Sequence, residues 1–180
     1  MSHPLLNGRR EFLRLALGAA GSTALGIFGA RVLGAQGAPR SPAAPRQAAL
    51  PTMTVYKSAQ CGCCASWVDH VTANGFNVRV VNTEDLGAVK REMGIPARLA
   101  SCHTVVVGSY LVEGHVPAAD IKRLLAEKPR VRGLAVPGMP VGSPGMEQGS
   151  PANYDRYDVL TFSADGTTSV FASHGPPARR

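Results

Sequence analysis

The sequence predicts a mixed α/β (α+β) fold. Segments in which apolar and polar residues alternate are interleaved with segments in which apolar residues recur every three or four positions, and these two periods are typical of strands and helices. The chain then closes with two strand-like segments joined by a tight turn. Residues 53–174 are enough for one domain with its own core and too few for two domains of ordinary size.

The individual elements follow from local patterns in chain order. Residues 52–58 alternate between apolar and polar and predict the first strand, and residues 61–74 carry apolar residues at helical spacing before a stop at Gly75. Two later strands are separated by a tight Gly-Ser turn, and Pro117 suits the first turn of the last helix. The remaining predictions are strands at 76–83, 104–108 and 110–116, and helices at 84–93 and 117–127.

The order β-α-β-α-β-β-α is the layout of a thioredoxin or glutaredoxin core. Residues 129–156 are crowded with Gly and Pro and predict a long loop with little regular structure, of a length that is often functional. Residues 157–163 and 168–173 predict a terminal β-hairpin. We therefore expect a thioredoxin/glutaredoxin-like core that is followed by a Gly/Pro/Met-rich loop and a hairpin.

The two ends of the chain are predicted to lie outside this folded domain. Residues 1–37 contain a pair of arginines followed by a mildly apolar run, which indicates a twin-arginine export signal. Residues 38–51, rich in Pro and Ala, predict a disordered linker, and residues 175–180 predict a disordered tail. The domain itself, 52–174, is expected in the periplasm without a stable membrane span; an uncleaved signal would instead anchor it to the membrane.

The charge distribution argues against nucleic acid as a partner. The chain has a formal net charge of +7, but residues 53–174 contain eleven Lys and Arg against eleven Asp and Glu. The surplus positive charge therefore belongs to the ends of the chain. Nucleic-acid binding needs a clustered basic face, and no such face can be identified in the domain.

Three cysteines stand at the predicted start of the first helix: Cys61, Cys63 and Cys64. The helix dipole and unpaired backbone N–H groups favour thiolates at that position, and thiolates both attack disulfides and bind soft metals. The fourth cysteine, Cys102, leads into the third strand, where a thioredoxin core normally has a cis-proline that faces the cysteine turn. We expect Cys102 to face the other three cysteines.

The spacing of these thiols favours a soft-metal site over a dithiol redox couple or structural thiols. Neighbouring side chains on a helix point about 100° apart, so Cys63 and Cys64 are not expected to reach one ion easily and could instead bridge several ions. Soft thiolates select monovalent copper, zinc or iron–sulfur clusters. Copper is the metal most often handled beyond the inner membrane, so monovalent copper is expected and zinc is the weaker alternative.

Two methionines on the predicted loop are weaker candidate ligands. Met139 and Met146 lie in near-repeats, Pro-Gly-Met-Pro and Pro-Gly-Met-Glu, and thioethers suit monovalent copper. Either methionine could equally pack the loop onto the core.

The histidines carry less weight in the sequence. His103 is a candidate ligand or proton carrier, although strand alternation is expected to direct it away from Cys102. His115 is expected to be a half-exposed strand residue, and His70 is expected on a solvated helix face. Trp67 is predicted to pack in the core behind the cysteines.

Four motifs together resemble the CopG-type bacterial copper-resistance proteins, long catalogued as a domain of unknown function. They are CGCC with a following tryptophan, ASCHT leading into VVVG, EGHVP before a helix, and GLAVPGMPVGSPGME. The resemblance covers about residues 53–173. It implies a thioredoxin-like fold, a periplasmic location, and copper bound by the cysteines of the CGCC turn and the SCHT segment, here Cys61, Cys63, Cys64 and Cys102.

The leading functional hypothesis is a periplasmic copper-resistance protein that holds monovalent copper in a multinuclear thiolate site, with copper redox activity as an extension. One rival is a thiol–disulfide oxidoreductase in which Cys61 is the nucleophile and Cys64 the resolving thiol. Another is a copper chaperone that makes transient contact with an efflux pump or a cuproprotein.

Overall fold

The computed structural model describes residues 49–177, and the predicted export signal, most of the predicted linker and the last residues of the tail lie outside them. The described chain forms one mixed sheet with three α-helices and two short 3-10 turns. The mixed α+β prediction is confirmed. The elements are β1 Met53–Lys57, α1 Gly62–Ala73, β2 Val78–Asn82, α2 Leu86–Glu92, β3 His103–Val107, β4 Tyr110–Glu113, α3 Ala118–Glu127, β5 Gly133–Ala135, β6 Tyr157–Phe162 and β7 Thr168–His174.

The seven strands lie in the order β2-β1-β3-β4-β5-β6-β7. β1 pairs in parallel with β2, and β3 lies antiparallel to both β1 and β4. β5 is parallel to β4 and antiparallel to β6, so the terminal hairpin of β6 and β7 extends the same sheet. As a result, the segment before β3 lies beside the end of β1, where the cysteine turn begins.

The sheet is covered on both faces by apolar side chains. On the α1 and α3 face, the core includes Trp67, Val105, Val112 and Leu134, all fully buried. On the opposite face a smaller cluster forms around Ile95, Leu99, Leu111, Ala135 and Phe162. Successive strand residues such as 111 and 112 belong to different clusters, because side chains alternate across a strand.

The helix boundaries have identifiable local causes. α1 ends where Gly75 takes φ +89°, a conformation that glycine adopts without steric cost. α2 begins after Asp85, whose carboxylate accepts a hydrogen bond from the Ala88 N–H at 2.8 Å. α3 begins one residue after Pro117, whose fixed φ suits a helix start.

The prediction that residues 129–156 contain little regular structure needs one correction. Gly133–Ala135 form β5, which pairs with β4 on one side and β6 on the other. A Cβ on Gly133 would lie 1.8 Å from the Leu111 carbonyl oxygen, so the close strand approach requires glycine there. A strand of three residues is too short to show a period, and it is stabilised by its two neighbours.

Among residues 49–177, no helix is both long enough and apolar enough to cross a bilayer.

Candidate metal centre

The first turn of α1 presents three of the four cysteines. Cys61 precedes the helix in extended conformation, and Cys63 and Cys64 follow in its first turn. The Sγ atoms of Cys61 and Cys63 are 3.5 Å apart, and Cys61 and Cys64 are joined by a disulfide. Cys64 is fully buried, while Cys61 and Cys63 are half-buried.

Cys102 meets these three cysteines from the opposite side of the site. Its Sγ lies 3.9 Å from Cys63 Sγ, and all four sulfur atoms lie within 4.8 Å of one another. The expectation that Cys102 faces the cysteine turn agrees with this geometry. The expectation that Cys63 and Cys64 do not easily reach one ion, and could instead bridge several ions, stays a prediction.

Cys102 is the thiol most strongly affected by its surroundings. Burial raises its pKa to about 12, and the neighbouring Cys63 thiol adds to that shift. A thiol with this pKa stays protonated at neutral pH unless a bound cation takes the place of the proton. A bound cation would be such a replacement, since thiolate is the form that ligates metal.

His115 is a part of the site that the sequence did not identify. Its side chain is fully buried, not half-exposed as expected, and its Nε2 lies 2.8 Å from Cys102 Sγ. The other ring nitrogen, Nδ1, lies 2.8 Å from the Pro144 carbonyl oxygen. A carbonyl can only accept, so Nδ1 carries the hydrogen and Nε2 presents its lone pair to Cys102. A Gly before the histidine, Gly114 with φ +73°, was the available signal of a sharp turn there.

His103 also lies in the site, contrary to the expectation from strand alternation. Cys102 precedes β3 in a bend, so the alternation of strand residues does not apply to this pair. His103 Nδ1 is 3.6 Å from Cys102 Sγ, and its ring packs 4.5 Å from Trp67 and 5.0 Å from His115 between centroids. Burial holds the His103 pKa well below its usual value, with His115 adding to the shift.

Trp67 forms the wall behind the cysteines, as predicted. It is fully buried, and its indole N–H donates to the Val116 carbonyl oxygen at 2.9 Å. His70, expected on a solvated face, is half-buried, and its Nε2 accepts a hydrogen bond from Ala118 N–H at 3.1 Å. His70 therefore joins α1 to the start of α3 and has a structural role.

The Gly/Pro/Met-rich loop closes over α1. Gly145 lies so close to the helix that an added Cβ would be 2.7 Å from both Cys63 O and Trp67 N. The loop also supplies the carbonyl that orients His115. Met146 follows directly and is half-buried, whereas Met139 is 52% exposed. Their role as ligands stays a prediction.

A buried carboxylate holds the segment that carries Cys102. Glu113 is fully buried and pairs with the Lys90 ammonium. It also accepts hydrogen bonds from Ser101 N–H at 2.6 Å and from the Thr104 hydroxyl at 2.7 Å. Burial raises the Glu113 pKa, and Lys90 and these hydrogen bonds oppose that shift. Both flanks of the Cys102–His103 pair are therefore tied to one side chain.

The donor types in this centre fit a soft or borderline metal. The first set of donors comprises four cysteine sulfurs, and the second comprises Cys102 with His103 and His115, whose ligand atoms also lie within 4.8 Å of one another. Thiolate sulfur selects monovalent copper or zinc, and imidazole suits copper and zinc. A metal-binding role for this cluster therefore agrees with the chemistry of its side chains.

Comparisons with known proteins agree with this assignment. A solved structure named copper resistance protein CopG, form 1, is 46% identical to the chain, covers 71% of it and is itself covered to 99%, with a TM-score of 0.66. Form 2 is also 46% identical, covers 69% of the chain and is covered to 98%, with a TM-score of 0.65. A family described as a protein of unknown function, DUF411, matches residues 99–146, and no curated protein matches the chain.

The matched structures are covered almost from end to end, and the family match includes Cys102, both site histidines and both loop methionines. The four cysteines converge in space as the sequence motifs imply. The chain belongs to the CopG family of copper resistance proteins.

Proposed function

We propose that this protein confers copper resistance by holding monovalent copper between the thiolates of Cys61, Cys63, Cys64 and Cys102. The observation that carries the proposal is the convergence of Cys102 with the helix cysteines, which brings four sulfur donors within 4.8 Å of one another. Soft thiolates prefer monovalent copper. With four donors that close, each sulfur can contact more than one ion, which favours a multinuclear site.

The four-thiolate site requires reduction of the Cys61–Cys64 disulfide. Breaking that S–S bond takes two electrons and two protons, which an added dithiol reductant supplies as it is itself oxidised to a disulfide, and the protons are released again when the thiolates take up metal. Cys102 must also give up the proton that its raised pKa retains. Copper uptake is therefore expected to release protons and to strengthen as pH rises.

An anaerobic titration of the reduced full-length chain with monovalent copper tests the proposal. X-ray absorption at the copper edge should report sulfur ligation, and short copper–copper distances would support several bridged ions. Cys102→Ser should lower the bound copper, whereas Ser101→Ala, a change at the preceding residue, should leave the stoichiometry unchanged. Less than one copper per chain with four reactive thiols would exclude the site.

The disulfide itself favours a second candidate function. Cys61 and Cys64 are bonded and three residues apart, which is the arrangement of a thiol–disulfide oxidoreductase with an exposed nucleophile and a buried resolving thiol. Cys61 is half-buried and Cys64 fully buried, so Cys61 is the more accessible of the two sulfurs. The assay is the reduction of insulin disulfides by the protein. A rate that is the same for the wild-type chain and for Cys102→Ser would favour this function over copper storage.

We further propose that the protein works in the periplasm after export by the twin-arginine route. The support is the Arg9-Arg10 pair and the apolar run that follows it. Replacing both arginines with lysine should leave the protein in the cytoplasmic fraction of the producing cells. Transient delivery of copper to an efflux pump or a cuproprotein fits the same location, and crosslinking of copper-loaded cells would detect such a contact.

The strand order supports a thioredoxin-like core as a further proposal. β2, β1, β3 and β4 are adjacent in that order, with only the β1–β2 pair parallel. Superposition of an experimental structure on a thioredoxin core would test it, and helices on the wrong faces of the sheet would contradict it.

A further inference from the structure

We propose that the end of the sheet farthest from the metal centre docks on an anionic membrane surface. A groove with a volume of about 420 Å³ lies there, and we call it the α3 groove. It is lined by residues 49–51 and by Lys122, Leu125, Ala126 and Lys128 of α3 and its C-terminal cap. None of these residues belongs to the cysteine centre, so this docking does not depend on copper.

The sheet topology places the α3 groove opposite the cysteines. β1 starts shortly after residues 49–51 and ends beside the cysteine turn, and β3 runs the other way, away from Cys102. The turn between β3 and β4 therefore lies at the same end of the sheet as the start of β1. A Cβ on Gly108 in that turn would lie 3.8 Å from Leu125 and 3.9 Å from Pro51. A membrane bound at this end leaves the metal centre facing away from it.

The floor of the α3 groove is apolar. Leu50 and Leu125 are half-buried and pack against the main core, and Ala126 is exposed. Peripheral membrane binding strengthens with the apolar area buried at the interface and with the attraction of cations to anionic lipids. The apolar floor supplies the first of these two contributions.

The rim of the α3 groove is positively charged and supplies the second. Lys122 is half-buried and Lys128 is exposed, and neither ammonium pairs with a carboxylate among the described residues. Glu127 does not line the groove, and its carboxylate lies 4.0 Å from the Arg123 guanidinium. Two unpaired ammonium groups beside an apolar floor are complementary to a layer of anionic headgroups above acyl chains.

Charge also decides between a membrane and the chain's own linker as the occupant of the α3 groove. Residues 38–48 precede the groove in the sequence and contain Arg40 and Arg46 but no Asp or Glu. A linker seated in the groove would add two cations to Lys122 and Lys128 and would neutralise neither. On an anionic surface, the same two arginines would add to the attraction.

Vesicle binding by the full-length chain tests the docking. The chain should bind phosphatidylglycerol/phosphatidylcholine vesicles more tightly than phosphatidylcholine vesicles, and added salt should weaken the difference. Lys122→Gln/Lys128→Gln should lower the affinity for the anionic vesicles by about 25-fold, since each lysine near such a surface contributes about fivefold. All variants keep residues 1–48, so differences between variants report the groove.

Two matched controls separate this site from general charge. Arg79→Gln/Arg91→Gln removes the same charge from exposed positions on β2 and α2 and should leave the affinity nearly unchanged. At the exposed Ala126, Ala126→Glu should bind the anionic vesicles about fivefold more weakly than Ala126→Gln, because the two variants differ by one charge near the headgroups.

Lysine acetylation followed by mass spectrometry reads the groove directly, even where residues 1–48 bind lipid by themselves. Acetylation of Lys128 should slow on anionic vesicles and stay fast on phosphatidylcholine vesicles. Equal rates on both vesicles would overturn the proposal, as would an equal loss of affinity in the Arg79/Arg91 control. Slow acetylation of both lysines without vesicles, unchanged by anionic lipid, would place the linker in the groove and would also overturn it. None of these results bears on copper binding by the cysteines.

Discussion

Replacing Gly145 with alanine tests whether the Gly/Pro/Met-rich loop is pressed against the helix that carries the cysteines. Gly145 has φ +82°, and an added Cβ would lie 2.7 Å from Cys63 O and from Trp67 N. Both neighbours are backbone atoms of α1, so neither can move aside as a flexible side chain would. The substitution must therefore displace either the loop or the start of the helix.

The expected loss of stability has two contributions: backbone strain at positive φ and overpacking against α1. A side chain in the left-handed region costs about 1–2 kcal/mol, and overpacking against a rigid neighbour costs about 1–3 kcal/mol. Gly145→Ala should therefore lower the free energy of unfolding by about 2–5 kcal/mol. Gly149→Ala is the matched control, since Gly149 has φ +73° with nothing within 4 Å of its Cβ position. Gly149→Ala should lose only the stability that corresponds to a side chain in the left-handed region, about 1–2 kcal/mol.

Urea unfolding of both variants measures the difference, and the change in midpoint at constant slope reports stability alone. The Gly145 variant should also loosen Pro144 from the His115 ring, which faster exchange of the His115 Nδ1–H would reveal. Equal stability losses at positions 145 and 149 would refute the close packing of the loop on α1. Unchanged exchange of the imidazole proton would refute the link from the loop to the site.

Three further predictions concern the site and its support. In the metal-free chain with its Cys61–Cys64 disulfide intact, Cys102 should be alkylated slowly at neutral pH, because its pKa is raised to about 12 and the thiolate is the reactive form. Its alkylation rate should rise about tenfold per pH unit below that pKa, and a rate that levelled off near pH 9 in mass spectrometry of timed samples would contradict this. Glu113→Gln should lower the free energy of unfolding by about 3–5 kcal/mol, since it leaves the Lys90 ammonium without its ion-pair partner, and adding Lys90→Met to that variant should recover part of the loss. If the stability loss of the double variant instead equalled the sum of the two single losses, the two side chains would not be coupled. Leu134→Ala should cost about 2–5 kcal/mol because Leu134 is fully buried in the short β5, and a cost below about 1 kcal/mol would show that β5 is only loosely packed.

Much of the fold could be read from local patterns. The spacing of apolar residues, together with glycines and prolines at element ends, predicted nine of the ten helices and strands in their observed order. At most of the helix and strand ends, the predicted boundary differs from the observed one by no more than two residues. β5 was missed because three residues carry no period, and its stability comes from the flanking strands. The trio of cysteines at the start of α1 followed directly from the strand–turn–helix pattern around residue 61.

The site itself was only partly visible in the sequence. The sequence by itself determined the four thiols, the family resemblance and the position of Cys102 at the entry to β3. Only the tertiary structure decided that His115, thirteen residues further along the chain, turns onto Cys102 while the Pro144 carbonyl orients its ring. It also decided which two cysteines pair and that His103 shares their pocket. Helices and strands follow from neighbours along the chain, whereas these contacts depend on how distant segments pack, and no local period records that packing.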